Sequence, residues 1–379
     1  MSLLRVVSVV LLLAIAAPAV PANADGGGSS GADSGVIPCD STALVNAIDE
    51  ANAHGGATLN LTPGCTYTLT ELNNDDNGLP LITSPITING NRATIVASHA
   101  EGVPFMRLFE VPSAEGRLRL NNLTVTGGEL QPSPGLLAPG NALFVRDGGI
   151  LSAHAARFTA NGFVGPPLPP GDGAVGNDHG SVEVTDSAFD HNLGSTGGGV
   201  YNNGGTMRLT RTTFENNAAT TNLGMGGGVN NGNTGNLILT DSGVIGNTAL
   251  HGGGGILNEG SMNVTNSTVS KNEAGLEEFQ NGFGGGIWNF GTMTVTNSPI
   301  VGNRSPVASF AIKGTEAGVD NQGGTLKLVN SPVTNNVAAG APGGIGNLQG
   351  TVELIHSAVT GNKPTNCVGS ETSVPGCVG

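Results

Sequence analysis

Large side chains and charge are both scarce in this chain. Aromatic residues fill 4% and charged residues 11% of its 379 positions, while glycine alone takes 63 of them. A core of bulky rings or long aliphatic blocks is therefore excluded, and any core must come from many small, repeated contributions. Basic residues are especially few: 14 Lys and Arg stand against 28 Asp and Glu, a formal charge of −14. No basic cluster offsets this balance, which argues against a nucleic-acid partner and against electrostatic attraction to an anionic membrane.

Long apolar runs are absent beyond the first residues. There, Arg5 precedes an apolar stretch from Val6 to Val20, and Ala22-Asn23-Ala24 supplies a small-residue cleavage site. The stretch falls short of the roughly 20 residues that span a bilayer. Residues 1–24 therefore read as a secretory signal and 25–37 as a Gly/Ser linker, which predicts a secreted, extracellular protein, cell-surface associated or free, with no membrane contact after cleavage. The four cysteines fall into two local pairs, Cys39 with Cys65 and Cys367 with Cys377. In an exported chain these predict two disulfides, and neither pair has the spacing or His partner of a metal site.

What the chain has in abundance is repetition. From Gly149 a 13-residue unit returns eight times, among them GSVEVTDSAFDHN, GTMRLTRTTFENN and GTMTVTNSPIVGN, with a degenerate copy from Gly116. Repetition at 25 to 33 residues is a solenoid signature. The third and fifth residues of each unit are apolar, the seventh and eighth are usually Asn/Asp and Ser, the tenth is Phe, Val or Ile, and the thirteenth is always Asn. This is strand, tight bend, strand, Asn-marked corner. A glycine-flanked third strand precedes the unit, as in GVYNN, GILNE and GIWNF. The architecture predicted is all-β: a right-handed single-stranded parallel β-helix of about ten coils, three strands each, spaced at about 4.8 Å. Residues 38–80 are expected to form an N-terminal cap of helix plus strand, with Ser41 or Thr42 as N-cap and Leu44, Ile48 and Ala51 on the buried face. The coils are expected over 81–365 and a disulfide-closed tail over 366–379.

In the third strand an apolar residue and an Asn lie two apart and share the inner face. Asn177, Asn202, Asn231, Asn258, Asn289, Asn321 and Asn347 are thus expected to form a buried ladder, each amide bonding the next. The residues between them, Gly176, Tyr201, Asn230, Leu257, Trp288, Asp320 and Gly346, are expected to point outward. Tyr201 and Trp288 become glycan-binding candidates because rings on a long face can stack on sugars. The blander reading packs the indole under residues 275–283, on Phe279 or Phe283.

For catalysis, paired carboxylates beside a groove are the pattern to seek. The candidates are Asp172, Asp178, His179, Asp190 and His191, with Glu277, Glu278 and Asp320 further along; Asp190-His191 sits in the corner before Asn192, where solvated polar residues are expected without any catalytic role. Asp75 and Asp76 in ELNNDDNG are the candidates for Ca²⁺, though their spacing matches no calcium loop and a plain turn explains them. No other cofactor is indicated.

NGLPLITSPITINGNRATI, RLRLNNLTVTGG and the recurring GGG(I/V)xN with GTxTVTNS resemble secreted bacterial right-handed parallel β-helix repeat proteins, with elements similar to polymorphic outer-membrane-protein repeats. The resemblance covers residues 38 to 365 and implies fold far more than function. Members resemble surface adhesins as often as polysaccharide lyases and hydrolases; the uniform repeats without an obvious catalytic cluster are read as a non-catalytic, monomeric rod presenting an elongated surface for adhesion or for extracellular or envelope polysaccharide, with a polysaccharide lyase or glycoside hydrolase as the alternative. No lyase catalytic residue maps onto the chain.

Overall fold

The residue at the seventh place of each unit, usually Asn or Asp, bends the chain. Asp186, Arg211, Asp241, Asn266, Asn297 and Asn330 all hold positive φ, between 48° and 52°. Asn and Asp enter this left-handed region most readily among residues with a side chain. The bend splits each unit into a five-residue and a two- or three-residue strand, such as Thr292–Thr296 and Ile300–Val301. Both halves pair in parallel with the same halves of neighbouring coils, so that Met262 meets Met293 and Met293 meets Leu326.

The computed structural model describes residues 35–130, 140–162, 172–220, 224–275, 282–306 and 316–379. The signal read at 1–24 and most of the linker lie outside them, as do Phe279, Glu277 and Glu278. Within them the chain is a parallel β-helix. The glycine-flanked strands form a nine-stranded ladder from Phe109–Val111 to Ile345–Leu348. A short strand after the Asn corner, for example Glu273–Ala274, builds a further six-stranded ladder that the sequence pattern did not suggest. Two residues are too few for an alternation to register.

Like residues fill the core by stacking in register. Phe158, Phe189 and Phe214, all at the tenth place, stack at 4.8 Å between centroids. The predicted Asn ladder is present: Asn177 donates to Asn202 at 2.8 Å, and the chain of side-chain bonds continues through Asn231, Asn258, Asn289 and Asn321 to Asn347. The thirteenth-place Asn builds a second buried ladder, from Asn161 through Asn192, Asn217, Asn247, Asn272, Asn303 and Asn336 to Asn362. There each Oδ1 also accepts the backbone N–H of the preceding Asn, as Asn272 does from Asn247 at 2.9 Å. Buried amides are tolerated because each is satisfied along the stack.

At the N-terminal end the helix Ser41–Ala53 buries Leu44, Ile48 and Ala51. Its N-cap is Asp40, whose Oδ2 accepts from Ala43 N at 3.0 Å, one residue before Ser41 and two before Thr42, the positions expected. The strands Ala57–Asn60 and Thr66–Leu69 pair in parallel with Pro85–Ala97, so the cap continues directly into the coil's sheet. Disulfides join Cys39 to Cys65 and Cys367 to Cys377. Among the described residues no helix is long and apolar enough to cross a membrane.

Candidate functional site

Register places one outward residue per rung along the nine-stranded ladder. The column runs Glu110, Phe144, Gly176, Tyr201, Asn230, Leu257, Trp288, Asp320, Gly346. A second outward column lies two residues on, with Arg146, Asp178 and Asn203 aligned, followed by Glu259, Phe290 and Gln322 in later coils. On the other flank runs a row just before each glycine corner, where Met225, Gly252 and Phe283 bridge one another in parallel. Four connections long enough in sequence to wall a groove beside the Trp288 strand, 128–140, 162–172, 275–283 and 304–317, lie largely outside the described residues.

The flanking row changes the expected exposure of the column. Leu257, Trp288 and Phe283, with Met225 against them, form a small hydrophobic cluster separate from the main core. Trp288 points away from the coil interior yet is only 5% exposed. Its ring stacks on Phe283 at 5.0 Å and meets Phe290 at 4.7 Å and His251 at 5.6 Å. Of the two readings of the indole, exposed to solvent or packed on Phe283, the second is what the structure shows: outward of the sheet does not mean wet when a second layer crosses it. Gly252 is part of that layer, since a Cβ there would collide with the indole. Tyr201, about three rungs or 14 Å from Trp288 by strand spacing, is half-buried and is the more open ring.

Carboxyl groups converge around Tyr201. Asp172 Oδ1 accepts from Thr196 N at 3.0 Å and Thr196 Oγ1 at 3.2 Å; burial pushes its carboxyl up to about 6 against those bonds. Asp178 Oδ1 accepts from Asn203 at 3.0 Å and contacts His179 Nδ1 at 2.6 Å. Burial, then the charges of Asp172, Glu259 and Asp178, push the Tyr201 phenol up to about 12. The other proposed members do not join this group. Asp190 lies in the strand Ala188–Asp190 of a different sheet, where Arg157 Nε and Nη2 donate to its two oxygens at 2.7 and 3.0 Å. His191 holds φ 55° at the Asn corner, 3.2 Å from Asp190 Oδ1. Proximity in sequence joined two pairs that the coil sets on separate faces.

Each end of the column carries buried charge. At one end Arg107 donates to Glu110 at 2.8 Å and lies 5.0 Å over the Phe144 ring, while Arg146 reaches the other Glu110 oxygen at 2.8 Å. Asn77 also donates to Glu110, at 3.0 Å, and Arg107 N donates to Asp76 O. The Asp75–Asp76 loop is thereby fastened as a turn, and among the described residues no group of three or more His, Cys, Asp or Glu gathers to hold a metal ion. At the other end Asp320 accepts from Gln322 at 2.7 Å and lies in hydrogen-bond contact with Glu316, whose carboxyl fills the space left by Gly346. Burial holds both carboxyls above the usual range, and Asp320 raises Glu316 further, so the pair holds a proton at neutral pH.

Three buried side-chain atoms on this face have no hydrogen-bond partner: Asn230 Oδ1, Trp288 Nε1 and Glu316 Oε2. Sequence reading did not single out Asn230, Glu259 or Glu316. A signal for one existed: three residues before the apolar position, Gly140, Gly197, Gly226, Gly253 and Gly284 stand in five coils, but Asp172 and Glu316 stand in two others.

No protein-family model and no curated protein sequence matches the chain. Among solved structures it is similar to the mannuronan C-5 epimerase A-module of Azotobacter vinelandii, at 14% identity over 88% of this chain and 95% of that one, with TM-score 0.40. It is also similar to PfbA, a surface adhesin of Streptococcus pneumoniae, at 11% identity over 84% and 89% with TM-score 0.39. A third is the Dettilon tailspike protein, at 12% identity over 83% and 65% with TM-score 0.32. At these identities and scores no activity passes from them to this chain.

Proposed function

We propose that the chain is a secreted, non-catalytic β-helix protein that binds extracellular or envelope glycan, in adhesion or retention, through the outward face of its nine-stranded ladder. One observation carries this reading. The unpartnered buried polar atoms among Asn230, Trp288 and Glu316 lie on this single face, interleaved with rings, whereas the inner Asn ladders satisfy their own amides. Native proteins rarely leave buried polar atoms without partners, so their alignment marks a surface completed by something else. Polar groups beside aromatic faces suit a sugar, which offers hydroxyls at its edge and C–H groups on its faces. The two disulfides fit an extracellular setting.

The enzyme reading keeps one supporting observation, the elevated Asp172 near Asp178 and Tyr201, a pairing that acid–base chemistry uses. Incubating the full chain with a panel of polysaccharides separates the two. Retention without turnover, lost in Tyr201→Ala, is expected; new reducing ends or unsaturated products would replace the binding role with catalysis.

A further inference from the structure

The surroundings of Tyr201 are unusual in what they offer a ligand. Asp172 approaches from the glycine corner, and Asp178 and Glu259 act on the ring from the second outward column. Asn230, the next residue along the column, is 3% exposed and presents an unpartnered Oδ1. Several nearby donors are engaged. Thr196 is bonded to Asp172, Asn203 to Asp178, and His179 Nδ1 lies against Asp178. Arg146, one rung from Asp178, has Nε on Glu110 and Nη1 on Asp147. The notch thus gathers acceptors and negative charge around an aromatic ring, and the coil does not require it: five other coils place glycine where Asp172 stands.

A uronic acid would bring a like charge into this notch, which opposes binding. A neutral hydroxyl would supply one donor and leave the charge in place. An ammonium group supplies three donors and a positive charge, and is attracted to an aromatic face. Resting on the glycan-binding reading above, we propose that the Tyr201 notch binds the protonated primary amine of an amino sugar whose nitrogen carries no acyl group. Asp172, Asp178 and Asn230 Oδ1 accept from the ammonium, and the phenol ring covers it.

The test is calorimetric titration of the full chain, at low salt and pH 6, with glucosamine hexamer, N-acetylglucosamine hexamer and galacturonate hexamer. The glucosamine hexamer is expected to bind about tenfold or more tighter than the acetylated one. Asp172→Asn and Tyr201→Ala are expected to remove that preference. Glu183→Gln, which removes an exposed carboxylate on another sheet, is expected to leave it intact. Equal weakening by Asp172→Asn and Glu183→Gln would reduce the effect to net charge and overturn the proposal. Equal binding of both hexosamine hexamers, or preference for galacturonate, would overturn it while leaving a glycan face in place if Tyr201→Ala still abolished binding. Binding of none of the three, with no retention on the polysaccharide panel, would remove both readings. Circular dichroism of each variant confirms that its sheet is intact.

Discussion

A single buried amide has consequences two rungs wide. Asn258 accepts from Asn231 at 2.9 Å and donates to Asn289 at 2.8 Å, and all three are fully enclosed. Removing it leaves the Asn289 Oδ1 without a donor and opens a void in the stack. Asn258→Ala is therefore expected to lower stability by about 2–4 kcal/mol, combining an orphaned polar atom with a small cavity. Asn266 gives the contrast. It too stacks, on Asp241 at 3.1 Å, but it is exposed, and its constraint is backbone, with φ 49°. Asn266→Gly is expected to cost under about 0.5 kcal/mol, whereas Asn266→Val, forced into the left-handed region, should cost about 1–2 kcal/mol. Urea denaturation of the three variants checks the order; equal losses at 258 and 266 would mean that burial of the ladder is energetically idle.

At the level of the strand, Val319–Gln322 differs from its neighbours in carrying a buried acid pair. Burial favours protonation of both Glu316 and Asp320 in the folded state, and the charge of Asp320 favours that of Glu316 further. Their folded pKa values thus lie above the unfolded values of about 4. Below pH 4 both states are protonated and the pair's contribution is complete. As pH rises through the folded values the unfolded chain has already released its protons, so that contribution is lost. Stability is expected to decline from acid toward alkaline pH by more in the native chain than in Glu316→Gln, and the difference between the two curves isolates this pair from the rest of the acidic surface. Parallel curves would mean that the two carboxyls ionise freely. The same strand illustrates what a repeat does and does not disclose. The inner Asn at 321 was legible because period-two alternation fixes the face of every side chain. The exposure of Asp320 and Trp288 was not, because it depends on a second layer, Met225, Gly252 and Phe283, whose residues do not resemble one another. Glu316 was legible in principle as a carboxyl in a column that carries glycine in five coils, but Met106 and Pro342 break the same column, so a departure alone does not mark it.

For the whole molecule the recurring problem is the open edge. A parallel coil ends in unpaired N–H and C=O groups that template association with another chain. The helix Ser41–Ala53 packs at one end, on the strands that begin the sheet. At the other, the tail returns across the last rung: Asn347 N donates to Ser370 Oγ at 2.7 Å, Thr372 N to Asn347 O at 2.8 Å, and Gln349 N to Thr372 Oγ1 at 3.0 Å. Asn366 Oδ1 also accepts from Asn362, ending the second amide ladder where no further coil follows in the described fold. Because nearest-neighbour contacts dominate a solenoid, loss of this cover should act locally on the final rungs rather than on the cooperative middle. A chain truncated after Asn366, which keeps the ladder's last amide but loses the returning tail, is expected to show faster amide exchange over Ile345–Leu348 and Thr351–Ile355. It should also self-associate in sedimentation at concentrations where the full chain does not. Unchanged exchange in those two strands would show that the last rung holds its edge without the tail.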